Sequence, residues 1–133
     1  MAVSNISNIS NISVDLRSRT PIYEQIINNI KERAISGTFK PDEQIPSILQ
    51  LTRELGINPN TIHKAYAELE RQGVIYSLAG RGAFISGEDE MQKLADGKRR
   101  EILQDLEQAL ASAKKLGIEK NGINELTDKI YNN

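Results

Sequence analysis

One run of residues constrains this chain more than any other: Gly56-Ile57-Asn58-Pro59-Asn60-Thr61-Ile62-His63-Lys64-Ala65-Tyr66. A glycine can end a helix in the left-handed conformation that other residues resist. Asn58 offers a side-chain oxygen to a free amide of a following first turn, as an N-cap does. Pro59 then falls at the first helical position, where a missing N–H costs nothing and φ is already helical. The spacing predicts a helix that stops at Leu55, a tight turn, and a second helix from Pro59 to about Gln72. Ile62, Ala65, Tyr66 and Leu69 form the inner face of that second helix.

The flanking segments build outward from this pair. Thr20 as N-cap and Pro21 at the first position predict a helix whose inner face carries Ile22, Ile26, Ile27, Ile30 and Ala34, ended by Gly37. Residues 37–46 contain Pro41 and Pro46 and predict a connecting loop. Ser47 and Gln50 fit a capping box for a short helix that buries Leu51 and Leu55. Downstream, Val74 to Leu78 and Ala83 to Ser86 are strand-like runs around Ala79-Gly80-Arg81-Gly82, a hairpin. Ile12 to Leu16 alternates apolar and polar, and predicts a short half-buried strand that adds a third member to that sheet.

Helix, glycine turn and helix form a helix-turn-helix pattern, and a hairpin after it makes a winged helix. The second helix of such a pair is the one that enters a DNA major groove. The fold class is therefore mainly α with a small β-hairpin wing. Three segments follow: a low-complexity extension over 1–13 with its Ser-Asn-Ile repeats, a winged helix-turn-helix domain over 14–86, and a helical tail over 87–133.

The tail predicts one long helix from about Glu88, interrupted at Gly97 and ended by Gly117, then a shorter one. Met91, Leu94, Ala95, Ile102, Leu106, Ala109, Leu110, Ala113 and Leu116 recur at near-heptad spacing. Ile123, Leu126 and Ile130 continue the stripe on the shorter helix. Two helices of this size enclose little core, so the stripe needs the winged domain or a second copy of the chain. Met91, Leu94, Ile102, Leu106, Leu110, Leu116, Ile123, Leu126 and Ile130 are the candidate dimerisation residues. Lys98-Arg99-Arg100 reads as a solvated helix face.

Composition narrows the chemistry. The 133 residues include no cysteine and one histidine, so neither a disulfide framework nor a zinc site is expected. No apolar run approaches a membrane span and the start lacks a basic n-region, which points to a cytoplasmic protein with no membrane partner. No nucleophile–base pair or carboxylate pair stands out, so neither an enzyme nor a cofactor is expected. The net charge is −1, with nine Lys/Arg against eight Asp/Glu up to Ser86 and eight against ten beyond it. A chain so balanced can hold DNA only through a few placed basic groups, doubled by dimerisation.

Several short motifs stand in order: Pro21-Ile22-Tyr23-Glu24-Gln25-Ile26, Ile45-Pro46-Ser47, Glu54-Leu55-Gly56-Ile57-Asn58-Pro59-Asn60-Thr61, Ala65-Tyr66-x-x-Leu69, and Gly80-Arg81-Gly82-x-Phe84-Ile85. In this order and spacing the chain resembles the GntR family of bacterial transcription regulators over roughly residues 14–86. The short helical tail is similar to that of its YtrA-like subfamily. The resemblance implies a DNA-binding regulator, a repressor more than an activator, with double-stranded operator DNA as partner. It departs at Leu49, where the family usually carries an Arg that contacts the DNA backbone.

The candidate DNA-binding residues are Ser47, Asn58, Asn60, Thr61, His63, Lys64, Gly80, Arg81 and Gly82. Asn60 and Thr61 stand in the first turn of the recognition helix, and Asn can pair with adenine through two hydrogen bonds. Asn58 is chiefly a cap, with neighbouring amides that can hold a phosphate. His63 and Lys64 are expected to follow on the same exposed side. Arg81 sits between glycines that let the wing backbone approach DNA. The reading is a homodimer on a pseudo-palindromic operator, with an unidentified small-molecule effector left open. The alternative is a small-molecule sensor or protein-interaction module with weak residual DNA binding.

Overall fold

The computed structural model describes residues 12–133, so the Ser-Asn-Ile repeats lie almost entirely outside the described residues. Five helices and one hairpin follow in order: α1 (Ile22–Ser36), α2 (Ile48–Leu55), α3 (Pro59–Arg71), β1 (Ile75–Leu78), β2 (Gly82–Ile85), α4 (Glu88–Lys115) and α5 (Lys120–Tyr131). The chain divides into two compact units, the first running to Ala95 and the second from Asp96 to Asn133.

In the first unit, three helices and the hairpin close on one core. Ile26 and Ile30 from α1, Leu51 from α2, Ile62 and Leu69 from α3, and Val74 and Ile85 at the hairpin are all fully buried. Each such side chain contributes about 1.5–3 kcal/mol by leaving water. The inner faces read from the helical periodicity are the buried ones: Ile26, Ile27, Ile30 and Ala34 on α1, and Ile62, Ala65, Tyr66 and Leu69 on α3. The Tyr66 hydroxyl satisfies itself by donating to the Pro46 carbonyl at 2.6 Å, which ties the loop before α2 to α3. Burial first, and the Glu54 charge second, push this phenol well above its ordinary value.

Helix boundaries follow local chemistry with two shifts. The α1 N-cap is Pro21 and not Thr20: the Pro21 carbonyl accepts the first helical bond from the Gln25 amide at 3.1 Å, and no side chain caps the turn. At α2, Ser47 caps as expected, accepting the Gln50 amide at 3.0 Å. The reciprocal half of the capping box is absent, because the Gln50 side chain turns to Glu54 at 3.3 Å instead.

The strand expected at 12–16 does not form. Helix side chains take its backbone groups: Gln25 Oε1 accepts the Asp15 amide at 2.7 Å, and Gln25 Nε2 donates to the Asp15 carbonyl at 2.9 Å. Asn29 donates to the Ser13 carbonyl at 3.1 Å. Ile12 is still buried in the core and Val14 packs against it, while Leu16 is 76% exposed, so two of the three apolar positions that suggested a strand find cover. β1 and β2 pair antiparallel, with Tyr76 opposite Phe84. The far edge of β2 is covered by the loop before α2: the Asp42 amide reaches the Ile85 carbonyl at 2.9 Å, the Ile85 amide the Glu43 carbonyl at 2.8 Å, and the Ile45 amide the Ala83 carbonyl at 3.0 Å. The sheet keeps two strands, and residues 42–45 occupy the β2 edge with a single bridge between Gln44 and Phe84.

α4 runs unbroken through Gly97, contrary to the interruption read from the sequence. A glycine inside a helix costs only about 1 kcal/mol relative to alanine, too little to break a helix of this length. The first turns of α4 belong to the winged unit, because Met91 is buried in its core and Leu94 packs against it. The first compact unit therefore takes in the start of α4 and runs to Ala95.

The second unit is a helix pair with no buried residue. Its turn is a Schellman closure: the Gly117 amide donates to the Lys114 carbonyl at 3.1 Å and the Ile118 amide to the Ala113 carbonyl at 3.0 Å.

Candidate nucleic-acid interface

The start of α3 is set by its own residues. Gly56 takes the left-handed conformation at φ 66°, its amide bonding the Thr52 carbonyl. Asn58 Oδ1 accepts the Asn60 amide at 2.8 Å, and the Asn58 carbonyl accepts the Thr61 amide at 3.0 Å. Both amide hydrogens of that turn are therefore spent inside the protein, and Pro59 has none. With the Asn60 and Thr61 amides already engaged, the side chains of this turn are left as its free polar groups. Asn58 and Asn60 are exposed at the start of the helix and Thr61 is half-buried beside them.

His63 and Lys64 do not share a side. Neighbouring helical residues point about 100° apart, and here each meets a different neighbour. His63 helps line a cleft of about 540 Å³ between α3 and the hairpin, with Ser47, Glu70, Leu78, Gly80, Arg81 and Gly82 also on its walls. Lys64 turns to α1, its Nζ 3.9 Å from the centroid of the Tyr23 ring. This cation–π contact is one that sequence reading missed, since nothing in the spacing places the start of α1 against the middle of α3. It holds an exposed ammonium in a defined place, at a gain of about 0.5–1 kcal/mol.

The wing tip turns in three residues, Leu78 opposing Gly82. The Arg81 amide donates to the Leu78 carbonyl at 2.9 Å, and Gly80 and Gly82 take φ of 76° and 119°. Both angles lie where an L side chain is strained. Arg81 is exposed at this tip. The structure thus brings Ser47, His63, Gly80, Arg81 and Gly82 to one cleft, leaves Asn58, Asn60 and Thr61 at the mouth of α3, and places Lys64 on the α1 side. Leu49 is 60% exposed on α2, an apolar side chain on the surface. Capped helix, neutral hydrogen-bonding side chains at its first turn and a flanking basic tip are the parts of a groove-reading surface: side chains that address base edges beside groups that address phosphates.

The family model for bacterial regulatory proteins of the gntR family matches residues 22–85. The chain is 43% identical over 119 residues to the HTH-type transcriptional repressor YtrA of Bacillus subtilis, covering 90% of this chain and 91% of that protein. The chain belongs to the GntR family of bacterial regulatory proteins. Among solved structures, a transcriptional regulator from Oenococcus oeni superposes with a TM-score of 0.73 at 30% identity, over 89% of this chain and 97% of that one. A GntR family transcriptional regulator from Listeria monocytogenes gives 0.71 at 29% identity, over 86% and 98%. These likenesses extend past the winged unit into the helical tail, so the short tail is part of what this GntR protein shares with its YtrA-like relatives. Among the described residues, no cluster of His, Cys, Asp and Glu is placed to hold a metal ion, and no helix is long and apolar enough to cross a membrane.

Of the residues named for dimerisation, Met91 is occupied in the core of its own winged unit and Leu94 packs against that core. Ile102, Leu106, Leu110, Leu116, Leu126 and Ile130 are exposed and Ile123 is half-buried.

Proposed function

We propose that this GntR protein is a homodimeric transcriptional repressor that binds a pseudo-palindromic operator and acts in the cytoplasm. The observation that carries the reading is the first turn of α3, capped by Asn58 and presenting Asn60 and Thr61 beside a cleft that Arg81 borders. Asn60 and Thr61 read base edges in the major groove, while Arg81 at the wing tip and Lys64 hold the backbone or the neighbouring groove. Gly80 and Gly82 let the wing lie close to the duplex. Ser47 spends its oxygen as a cap and keeps its hydroxyl hydrogen for a phosphate. Leu49 supplies no charge, so the contact an Arg makes at this place in the family passes to α3 and the wing.

Repression is supported by the role of YtrA as a transcriptional repressor, a protein to which the chain is similar over nearly its whole length. Dimerisation is supported by the tail. Residues 96–133 bury nothing of their own, yet carry Ile102, Leu106, Leu110, Leu126 and Ile130 exposed on two helices. A second copy about a two-fold axis covers both stripes at once. Its recognition helix then meets a second half-site about 34 Å away, or a multiple of that. The test is a gel-shift titration on the chain's own promoter region: sequence-specific binding that weakens steeply with salt is expected. Binding indifferent to changes in either half-site overturns the proposal.

A further inference from the structure

We infer that Gln44, in the loop before α2, is a positioning residue for DNA binding: it clamps the wing tip so that Arg81 is held ready for the duplex. The inference rests on the reading that Arg81 contacts DNA. Gln44 Nε2 donates to the Arg81 carbonyl at 2.7 Å, a bond across 37 residues of sequence. The backbone places it there, since Gln44 forms a bridge with Phe84 on the outer edge of β2. From that station its side chain reaches the diagonal neighbour, Gly82, which is within range of a long side chain in an antiparallel pair.

Gly82 is the second half of the device. A Cβ at Gly82 would lie 2.8 Å from Gln44 Nε2, so a side chain there would push the Gln44 amide off the Arg81 carbonyl. Its φ of 119° makes any other residue strained on backbone grounds as well. Gly80 and Gly82 make the tip free to move in the absence of such a tie, because glycine loses more conformational freedom than any other residue when fixed. A side chain that fixes the peptide joining Arg81 to Gly82 removes part of the ordering cost from the binding step. The loop of 42–45 is itself held on β2 by three backbone bonds, so the clamp is anchored on the rigid part of the unit.

The test is a double-mutant cycle on the full chain. Affinity is measured by fluorescence anisotropy on a labelled duplex selected from random DNA with the wild-type chain. Gln44→Met keeps the length of the side chain and removes the donor. It is expected to weaken binding about 2- to 10-fold, the worth of one net hydrogen bond. In an Arg81→Ala background the same change is expected to do nothing further, because its effect runs through Arg81. Hydrogen exchange over residues 79–82 of the free protein is expected to speed up in Gln44→Met, with the thermal midpoint lowered by a few degrees and the chain still folded. Equal losses in both backgrounds assign Gln44 a role that does not pass through Arg81 and overturn the inference. Unchanged exchange at the tip overturns the clamp itself. An Arg81→Ala variant with wild-type affinity fails the docking reading, and the exchange arm then still reports whether the clamp exists.

Discussion

The two units of this chain use the same residue types to opposite ends. In the winged unit the apolar stripes of α1, α2 and α3 meet each other, and Leu51, Ile62 and Leu69 are fully buried. In the tail, α4 and α5 carry stripes of the same composition, yet Leu106 remains 51% exposed and Leu110 42%. Spacing tells which face of a helix is apolar. It does not tell whether the chain itself or a second copy covers that face. Met91 sits on the division: at the start of the α4 stripe, it is consumed by its own winged unit.

The comparison breaks most sharply under one substitution made in both units. Leu69→Asp places an unpaired charge in a dry core, a cost of several kcal/mol, and is expected to leave the winged unit unfolded by circular dichroism. Leu110→Asp puts the same charge on the exposed stripe. It is expected to leave the thermal midpoint of the winged unit in place, split the dimer in sedimentation, and lower operator affinity by roughly 100- to 10,000-fold, the gain lost when two half-sites are no longer linked. A Leu110→Asp chain that still sediments as a dimer removes the tail from the interface.

Within the winged unit the next effects are smaller. Arg81→Ala is expected to weaken operator binding by about 1–3 kcal/mol in anisotropy titrations, with folding unchanged. Lys64→Ala is expected to cost less. Its ammonium already rests over Tyr23, and leaving that contact offsets part of a phosphate bond. A Lys64→Ala loss larger than that of Arg81→Ala reverses the ranking.

The smallest expected effect is a pH dependence at the end of α3. Hydrogen bonds from Arg71 and then Gln72 lower the Glu68 carboxyl from its ordinary 4.5 to about 2. A lowered carboxylate contributes stability that is fully present above the unfolded value, and is lost as pH falls toward the folded one. Glu68→Gln is therefore expected to lower the thermal midpoint slightly at neutral pH and to flatten its acid limb between about pH 4.5 and 2, so that the two chains converge at the acid end. The exposed setting of the pair keeps the effect slight. An unaltered acid limb in the variant removes Glu68 from the account.

What was legible in the sequence was mostly local. Gly37, Ser47, Gly56 and Asn58 announce helix ends through their own backbone chemistry, and each takes the role read for it. The inner face of α3 follows from its period of 3.6. Two errors were local, the α1 cap and the break expected at Gly97, and the others share a cause in long-range pairing. Ile12 to Leu16 has the alternation of a strand, but the edge of β2 is taken by residues 42–45, whose charges and flanking Pro41 and Pro46 look like a plain loop. Gln44 carries no signal in one dimension, because its partner lies 37 residues away. The division of His63 and Lys64 between the wing and α1 likewise depends on which elements meet on either side of α3.

The most direct test counts chains on DNA. Native mass spectrometry of the protein at saturation on a duplex carrying both half-sites is expected to show two chains per duplex, and a Leu110→Asp chain is expected to bind each half-site separately and weakly. A single wild-type chain on the intact operator, bound as tightly as on one half-site, contradicts the account.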